Sequence, residues 1–502
     1  MATGGRIPAE RWVIASVAGA LAACLAVAAF AAFHIPLSIA ALLAAIVGVA
    51  AAFVLAPRLP RTWDGTSRMH RAICVLWIVL AVVAIARTAG VALFMADAQQ
   101  PQASAMWFDE FYIRHNCFSA WWKGAQLARE GVDNIYASDP YAGFEGRFKL
   151  DDFLYMPQFL ILPLAGIATG ADFLQLRAFW FALEGTLVAF AMLALCAWVG
   201  NGAGRRAALL APAVWVATPV LLTLQLGNFQ LAAIAMSMLA MMCFERERPI
   251  AGGALLGFAL FKIFPGLLCA YLLFARRWRA LAWTIAFAIA YSAIAYFAIG
   301  PKPFLAFVQY ELPRIADGDA WTWLENDGLE AVVAINDSVP GMVLKLKQLG
   351  VAGMNHAVEG ELSWAWTAIV IALAALAAVR RATLSRTERA MTWLALLALA
   401  AFRSPFVPDT YGLFPVIWLW SLVAATALPR RRNVAVLSLL WIAFAAVLPF
   451  TGALAADLHE RLALSTLSQC LAIAICVWVL LRRPRAAQPA ELSAPGALPL
   501  PA

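Results

Sequence analysis

Apolar runs of about 20 residues recur along the whole of this chain, and a run of that length is what a helix needs to cross the hydrocarbon core of a bilayer. They are read at 12–33, 36–56, 72–95, 153–169, 172–199, 207–224, 229–244, 251–275, 280–299, 362–379, 390–404, 411–428, 434–454 and 463–481. Composition agrees. Of 502 residues, 64% are hydrophobic and 13% are charged. Soluble domains carry roughly 25% charge, so water-soluble enzymes, DNA-binding proteins and disordered regulators are excluded. The expected class is an all-α polytopic membrane protein of about 12–14 spans.

The formal net charge of +8 reflects loops on one side of the membrane, with no nucleic-acid partner implied. The basic stretches 57–71, 276–279, 380–389, 429–433 and 482–485 are expected to be cytoplasmic, with both termini. Two long polar loops, 96–152 and 300–361, then face outside. One conflict remains: if all fourteen segments cross, Arg205, Arg206 and 245–248 also face outside, against the charge rule. Making 251–275 a re-entrant hairpin and 153–169 a partial dip would remove it. The reading keeps fourteen crossings, because 251–275 is too short to cross twice. Residues 1–11 are too polar for a cleaved leader, so the first run reads as an anchor.

Seven of the eight cysteines lie in apolar runs, Cys117 alone in a polar loop, and the five histidines are scattered. Neither a disulfide framework, a metal site nor a cofactor is expected. Trp107, Trp121, Trp122, Trp321 and Trp323 lie in the two long loops, which are expected to carry amphipathic helices at the headgroup level.

Chemistry is expected in these loops. Asp109 and Glu110 follow Trp107 and Phe108 just after a span. A carboxylate held among aromatics is partly desolvated and becomes a better base; the plainer alternative is a pair of solvated loop acids. Lys262 lies in the middle of an apolar segment, GFALFKIFP, where a cation needs a cavity or an anionic partner. That partner is either a lipid phosphate or Glu184. Arg114, His115 and Arg403 add positive charge at the outer face, suited to a phosphate leaving group.

These residues fall in an order that resembles glycosyltransferase family 87, of the GT-C fold. The elements are Asp109 to Tyr112, Gly131 to Tyr136, Phe153 to Pro157 and on to Pro163, Leu226 to Gln230, Gly252 through Lys262 to Pro265, Asn336 to Ser338, and Ser404-Pro405. They cover about residues 72–428. Two departures stand out: Gly227 is followed by Asn228 in place of Gln, and Asp409 and Tyr411 occupy a turn where relatives often carry His.

The resemblance implies a GT-C-type helix bundle in the bacterial inner membrane, with its active site on the periplasmic side. The expected layout is a hairpin and loop (1–71) that looks like an addition to the family pattern, a GT-C-like module (72–300), a second outer loop (301–361), C-terminal helices (362–483) and, from its Pro/Ala-rich composition, a disordered tail (484–502). The implied reaction moves mannose or arabinofuranose, with inversion, from a polyprenyl-phosphate donor to a glycolipid or polysaccharide acceptor. Asp109, with Glu110 in reserve, would be the base. Lys262, Arg403, Arg114 and His115 would hold the donor phosphate. Tyr112, Tyr155, Asn228, Asn336, Asp409 and Tyr411 would contact substrate. The alternatives are a lipid-sugar flippase and an O-antigen polymerase or ligase.

Overall fold

The computed structural model describes residues 9–57, 68–326, 328–427, 430–445 and 457–483. The expected tail 484–502 and most of the basic stretch 57–71 lie outside the described residues. The fold is almost wholly helical; the one sheet among the described residues is a two-stranded hairpin, Phe144–Glu145 with Phe148–Lys149. Among the described residues, seven helices are long and apolar enough to cross a bilayer: Arg11–Ala31, Leu37–Leu55, Val75–Ala96, Phe173–Val199, Trp278–Ile299, His356–Thr383 and Leu458–Leu481. The chain is a multi-pass membrane protein.

An eighth path is bent by 59° between Gly202–Trp215 and Thr218–Leu226. The bend falls at Ala217, which is extended and stands just before a helix with Pro219 in its first turn. The core helices Gln230–Glu245 and Arg386–Ala401 have only 16 residues each, so they are about 24 Å long. Their sides are covered by protein, not lipid: every residue from Ala390 to Ala401 is buried.

Ion pairs fix which helix ends share a face. Glu245 receives Arg381 at 2.7 Å, Arg389 at 2.5 Å and Arg277 at 3.5 Å, and Glu247 receives Arg277 at 2.7 Å. Residues 245–248 therefore stand beside the basic stretches 276–279 and 380–389, not across the membrane from them. Arg206 donates to Ala425 O and Arg386 to Trp198 O, which brings 198–206 to the same face. Arg380 ties in the C-terminal helix through Leu480 O at 2.6 Å.

This corrects the fourteen-crossing reading. Both ends of 249–275 lie on the basic face, so the segment is a re-entrant hairpin. It enters as Pro249–Ala259 and Leu260–Lys262, turns at Ile263 and returns as Gly266–Phe274. Gly253 and Gly257 let it lie against Trp283 to Ala288 of the neighbouring span. The segment 153–169 is likewise a dip, a short 3-10 turn Pro157–Leu160 followed by Ile161–Ala168. An apolar run of this length is alike in a span and in a hairpin, and the ion pairs at its ends tell the two apart. All these basic clusters now share one face.

The loops at the opposite face are folded into the protein. Trp121 and Trp122 sit in an aromatic core with Phe153, Phe159, Phe173, Trp180 and Phe229, so they do not anchor a helix on lipid. Trp107, by contrast, is exposed. Arg177, buried in a span, sets its guanidinium over the adjoining rings of Phe94 (4.6 Å) and Phe148 (4.4 Å).

Candidate active site

The hairpin tip delivers Lys262 to the loop face. Ile263 has φ 68° and ψ −60°, and Phe264 N bonds back to Lys262 O at 2.9 Å. That is a tight three-residue turn of the strained hand, rare for a β-branched residue. It halts the helix and turns the chain back just past Lys262.

Opposite the tip is a second turn. Gly227 caps the helix Thr218–Leu226 with φ 69°, a left-handed conformation, and a Cβ there would lie 3.2 Å from that of Phe118. The next residue, Asn228, is buried and uses its amide fully. Its Oδ1 accepts from Gln230 N at 3.0 Å and from Lys262 Nζ at 3.2 Å. Its Nδ2 donates to the Tyr155 hydroxyl at 3.2 Å and to Cys117 Sγ at 3.6 Å. Lys262 Nζ also stands 4.3 Å from the centre of the Tyr155 ring.

The first loop completes the cluster. Cys117 N bonds to Leu226 O at 2.7 Å, which locks the loop onto the Gly227 turn. A bridge between His115 and Lys149, with Ser119 Oγ accepting from Asp151 N at 3.1 Å, lays 149–151 beside 115–119. Asp151 Oδ1 then meets His115 Nδ1 at 3.2 Å, and Cys117 Sγ lies 3.7 Å from His115 Nε2. The Tyr411 hydroxyl is 3.0 Å from the same sulfur. Burial works against a charged His115 imidazole, but the Asp151 carboxylate outweighs it and holds its pKa well above the usual range.

Five residues singled out in the sequence, His115, Tyr155, Asn228, Lys262 and Tyr411, thus meet in one network. Cys117 and Asp151 join them, although nothing in the sequence pattern singles out either for the site. Asp151 had no local signal; only the pairing with 115–119 reveals it. His115, Cys117 and Asp151 each offer a donor atom within 4.8 Å of the others. The two histidine nitrogens point opposite ways, one to Asp151 and one to Cys117. A single ion could not replace both contacts without turning the ring.

The other candidates lie apart. Asp109 is a helix cap, its Oδ1 accepting from Phe111 N at 3.0 Å, and its neighbours Trp107 and Phe108 are exposed. The desolvation by aromatics expected for it is therefore not what surrounds it. Glu110 and Arg114 form an exposed i,i+4 pair. Tyr112 receives Gln225 Nε2 on its carbonyl at 2.9 Å. Arg403 bonds to Thr367 Oγ1 at 3.2 Å, with its guanidinium 5.9 Å from the centre of the Trp364 ring. Asn336 fastens the second loop to 405–407, accepting from Val407 N at 2.9 Å and donating to Pro405 O at 3.0 Å.

Asp409 is buried in a separate cluster. Lys345 there meets Asp337 at 3.7 Å and Ser465 Oγ at 2.6 Å. Burial, then the charge of Asp337, pushes the Asp409 carboxyl up.

The proposed Lys262–Glu184 pair does not form within 4 Å. Glu184 Oε1 instead accepts from Ala232 N at 3.0 Å, at the start of the helix Gln230–Glu245.

The model of glycosyltransferase family 87 matches residues 153–408, which is about half of the chain. The chain belongs to glycosyltransferase family 87. It is a membrane glycosyltransferase. The match is narrower than the 72–428 read from the motifs; it takes in Tyr155, Asn228 and Lys262, while His115, Cys117 and Asp151 precede it. No curated protein and no solved structure matches the chain.

Proposed function

We propose that this family 87 glycosyltransferase moves a sugar, mannose or arabinofuranose, from a polyprenyl-phosphate donor to a hydroxyl of a glycolipid or polysaccharide. The reaction is a single displacement with inversion, on the face of the bilayer opposite the basic clusters. By the positive-inside rule that face is the periplasmic one of a bacterial inner membrane.

The observation that carries the reading is Lys262. It is an ammonium at the tip of a re-entrant hairpin, hydrogen-bonded to the neutral Asn228 and packed on Tyr155. Among the described residues it has no acid within 4 Å. A cation in apolar surroundings calls for an anion, and a lipid-borne phosphate arriving along the bilayer supplies one. As the bond from anomeric carbon to phosphate oxygen breaks, negative charge grows on the phosphate, and a fixed ammonium stabilises it most at that moment. Asp109 remains the loop carboxylate suggested by the family motif. Its place as a helix cap on the rim fits contact with an incoming acceptor.

The test is a donor panel. Purified protein in liposomes is given polyprenyl-phosphate mannose, polyprenyl-phosphate arabinofuranose, and the corresponding nucleotide sugars. Consumption of a polyprenyl-phosphate sugar supports the reading. Use of a nucleotide sugar alone refutes it.

A further inference from the structure

The first loop carries, over 107–111, aromatic side chains that the fold leaves open. Trp107 is 63% exposed, Phe108 53% and Phe111 50%, while Trp121 and Trp122 of the same loop are buried. An exposed apolar patch with a polar rim marks a surface that takes a ligand or a partner. The rim here is Asp109 with the exposed ion pair of Glu110 and Arg114.

The backbone under these rings is fixed at both ends by one side chain. Gln225 Oε1 accepts from Ala105 N at 2.6 Å, and Gln225 Nε2 donates to Tyr112 O at 2.9 Å. Arg87 Nη2 donates to Ala105 O at 2.7 Å, and Asp109 caps the helix Glu110–Arg114 through Phe111 N. Gln225 is buried and stands two residues before the Gly227 turn. The rings are ordered as well. Trp107 and Phe108 meet edge to face, centroids 5.6 Å apart. Phe111 stacks on the His115 imidazole at 4.9 Å, planes 15° from parallel, so the patch is continuous with the network around Cys117. Ordering a loop costs entropy, and these rings recover little of it by burial; a bound ligand gains from the order.

The charges indicate which ligand. Two carboxylates stand among the rings against one guanidinium. Helices that lie on lipid set Lys and Arg beside their aromatics, and hydrocarbon does not take an exposed ion pair. A saccharide suits the patch. The C–H groups of a sugar ring carry partial positive charge and settle on the electron-rich face of an aromatic, and sugar hydroxyls donate to carboxylates.

We propose that Trp107, with Phe108 and Phe111, forms the platform on which the acceptor saccharide stacks, its hydroxyls turned to Asp109 and Glu110. This rests on the glycosyl-transfer reading above and narrows the acceptor. The residue that docks here is an uncharged sugar, since a uronic acid would meet two carboxylates. Gln225 is a positioning residue that holds the platform and touches no substrate.

The test measures transfer from a polyprenyl-phosphate sugar to octyl glycosides of mannose and of arabinofuranose by the wild type, Trp107→Ala and Trp107→Phe. Trp107→Ala should raise the acceptor KM about 3- to 10-fold, the loss of one aromatic contact, with donor KM and melting temperature near wild type. Trp107→Phe keeps a ring and should stay within about two-fold. An acceptor KM unchanged in Trp107→Ala overturns the proposal. The patch then belongs to the bilayer if brominated lipid quenches Trp107, or to a second copy of the chain if Trp107→Ala changes the oligomeric state.

The donor panel judges the glycosyl-transfer reading separately, and where the wild type gives no transfer to these acceptors the platform is judged by binding. Protein in nanodiscs is examined by saturation-transfer NMR with the methyl glycosides of mannose, arabinofuranose, glucose and glucuronic acid. Saturation of the neutral sugars that is lost in Trp107→Ala, and weaker for the glucuronide than for the glucoside, supports the platform. Equal saturation in the two proteins, or none in either, overturns it.

Discussion

The thiol of Cys117 lies 3.0 Å from the phenol oxygen of Tyr411, a residue 294 positions further along the chain. This contact joins the first loop to the turn Asp409–Gly412. It also divides that turn between two clusters: Tyr411 faces Cys117, whereas Asp409 is buried near Asp337 and Lys345.

Orientation can be read at Asp133. Cys117 is buried and makes a poor probe, but the Asp133 side chain is 89% exposed and makes only a surface pair with Lys302. Such pairs contribute about 0–1 kcal/mol, so Asp133→Cys should fold normally. A membrane-impermeant thiol reagent should label it from outside in intact spheroplasts, above the wild-type background. Labelling confined to inverted vesicles would place the site on the cytoplasmic side.

The turn at the hairpin tip is strained. Ile263, about half exposed, holds a positive φ that glycine adopts without steric cost. Conformations of this kind cost of order 1–3 kcal/mol. Ile263→Gly should raise the melting temperature or leave it level, offset in part by the entropy of glycine. A clear fall would mean that Ile263 packing, not backbone strain, dominates at the tip.

Gly227 makes the opposite case. Its left-handed φ strains any side chain, and a Cβ would stand 3.2 Å from that of Phe118, which would have to give way by a few tenths of an ångström. Gly227→Ala should lower stability by about 1–2 kcal/mol and displace Asn228, so transfer activity should fall more than stability alone explains. Thermal melting beside turnover checks both. An alanine variant with wild-type melting and turnover would contradict the role given to this turn.

The buried acids make stability depend on pH. The folded pKa of Asp409 is raised, up to about 8, by burial and by the charge of Asp337. Below the unfolded value of about 3.9 both states are protonated and nothing is lost. Between there and about 8 the folded state holds the proton that the unfolded state has released, so stability falls as pH rises, by at most about 1.4 kcal/mol per unit. Asp409→Asn should flatten this slope and gain most over wild type near pH 8. Parallel melting curves for the two proteins across pH 4–8 would refute it.

Much of the membrane body was legible because crossing a bilayer leaves a compositional mark. The long helices and the two large loops follow from apolar length alone. The hairpin 249–275 did not, because its apolar run resembles a span and only the pairing of Arg277 with Glu245 and Glu247 brings its ends together. Residues of the candidate site were legible where chemistry was out of place, as at Lys262. Asp109 stood out for its aromatic neighbours in the chain, but its neighbours in space are what decide burial. Asp151 and Cys117 looked ordinary, since their partners come from contacts between distant segments.

The most direct test of the account is Lys262→Met, assayed for transfer from a polyprenyl-phosphate sugar beside a thermal melt. Methionine fills the same space and leaves Glu184 with its bond to Ala232. The account predicts a melting temperature close to wild type and a loss of about 10²-fold or more in kcat/KM for the donor, as expected for removing a group that stabilises developing charge. Undiminished donor use would contradict it, as would a collapse in stability with donor use unchanged.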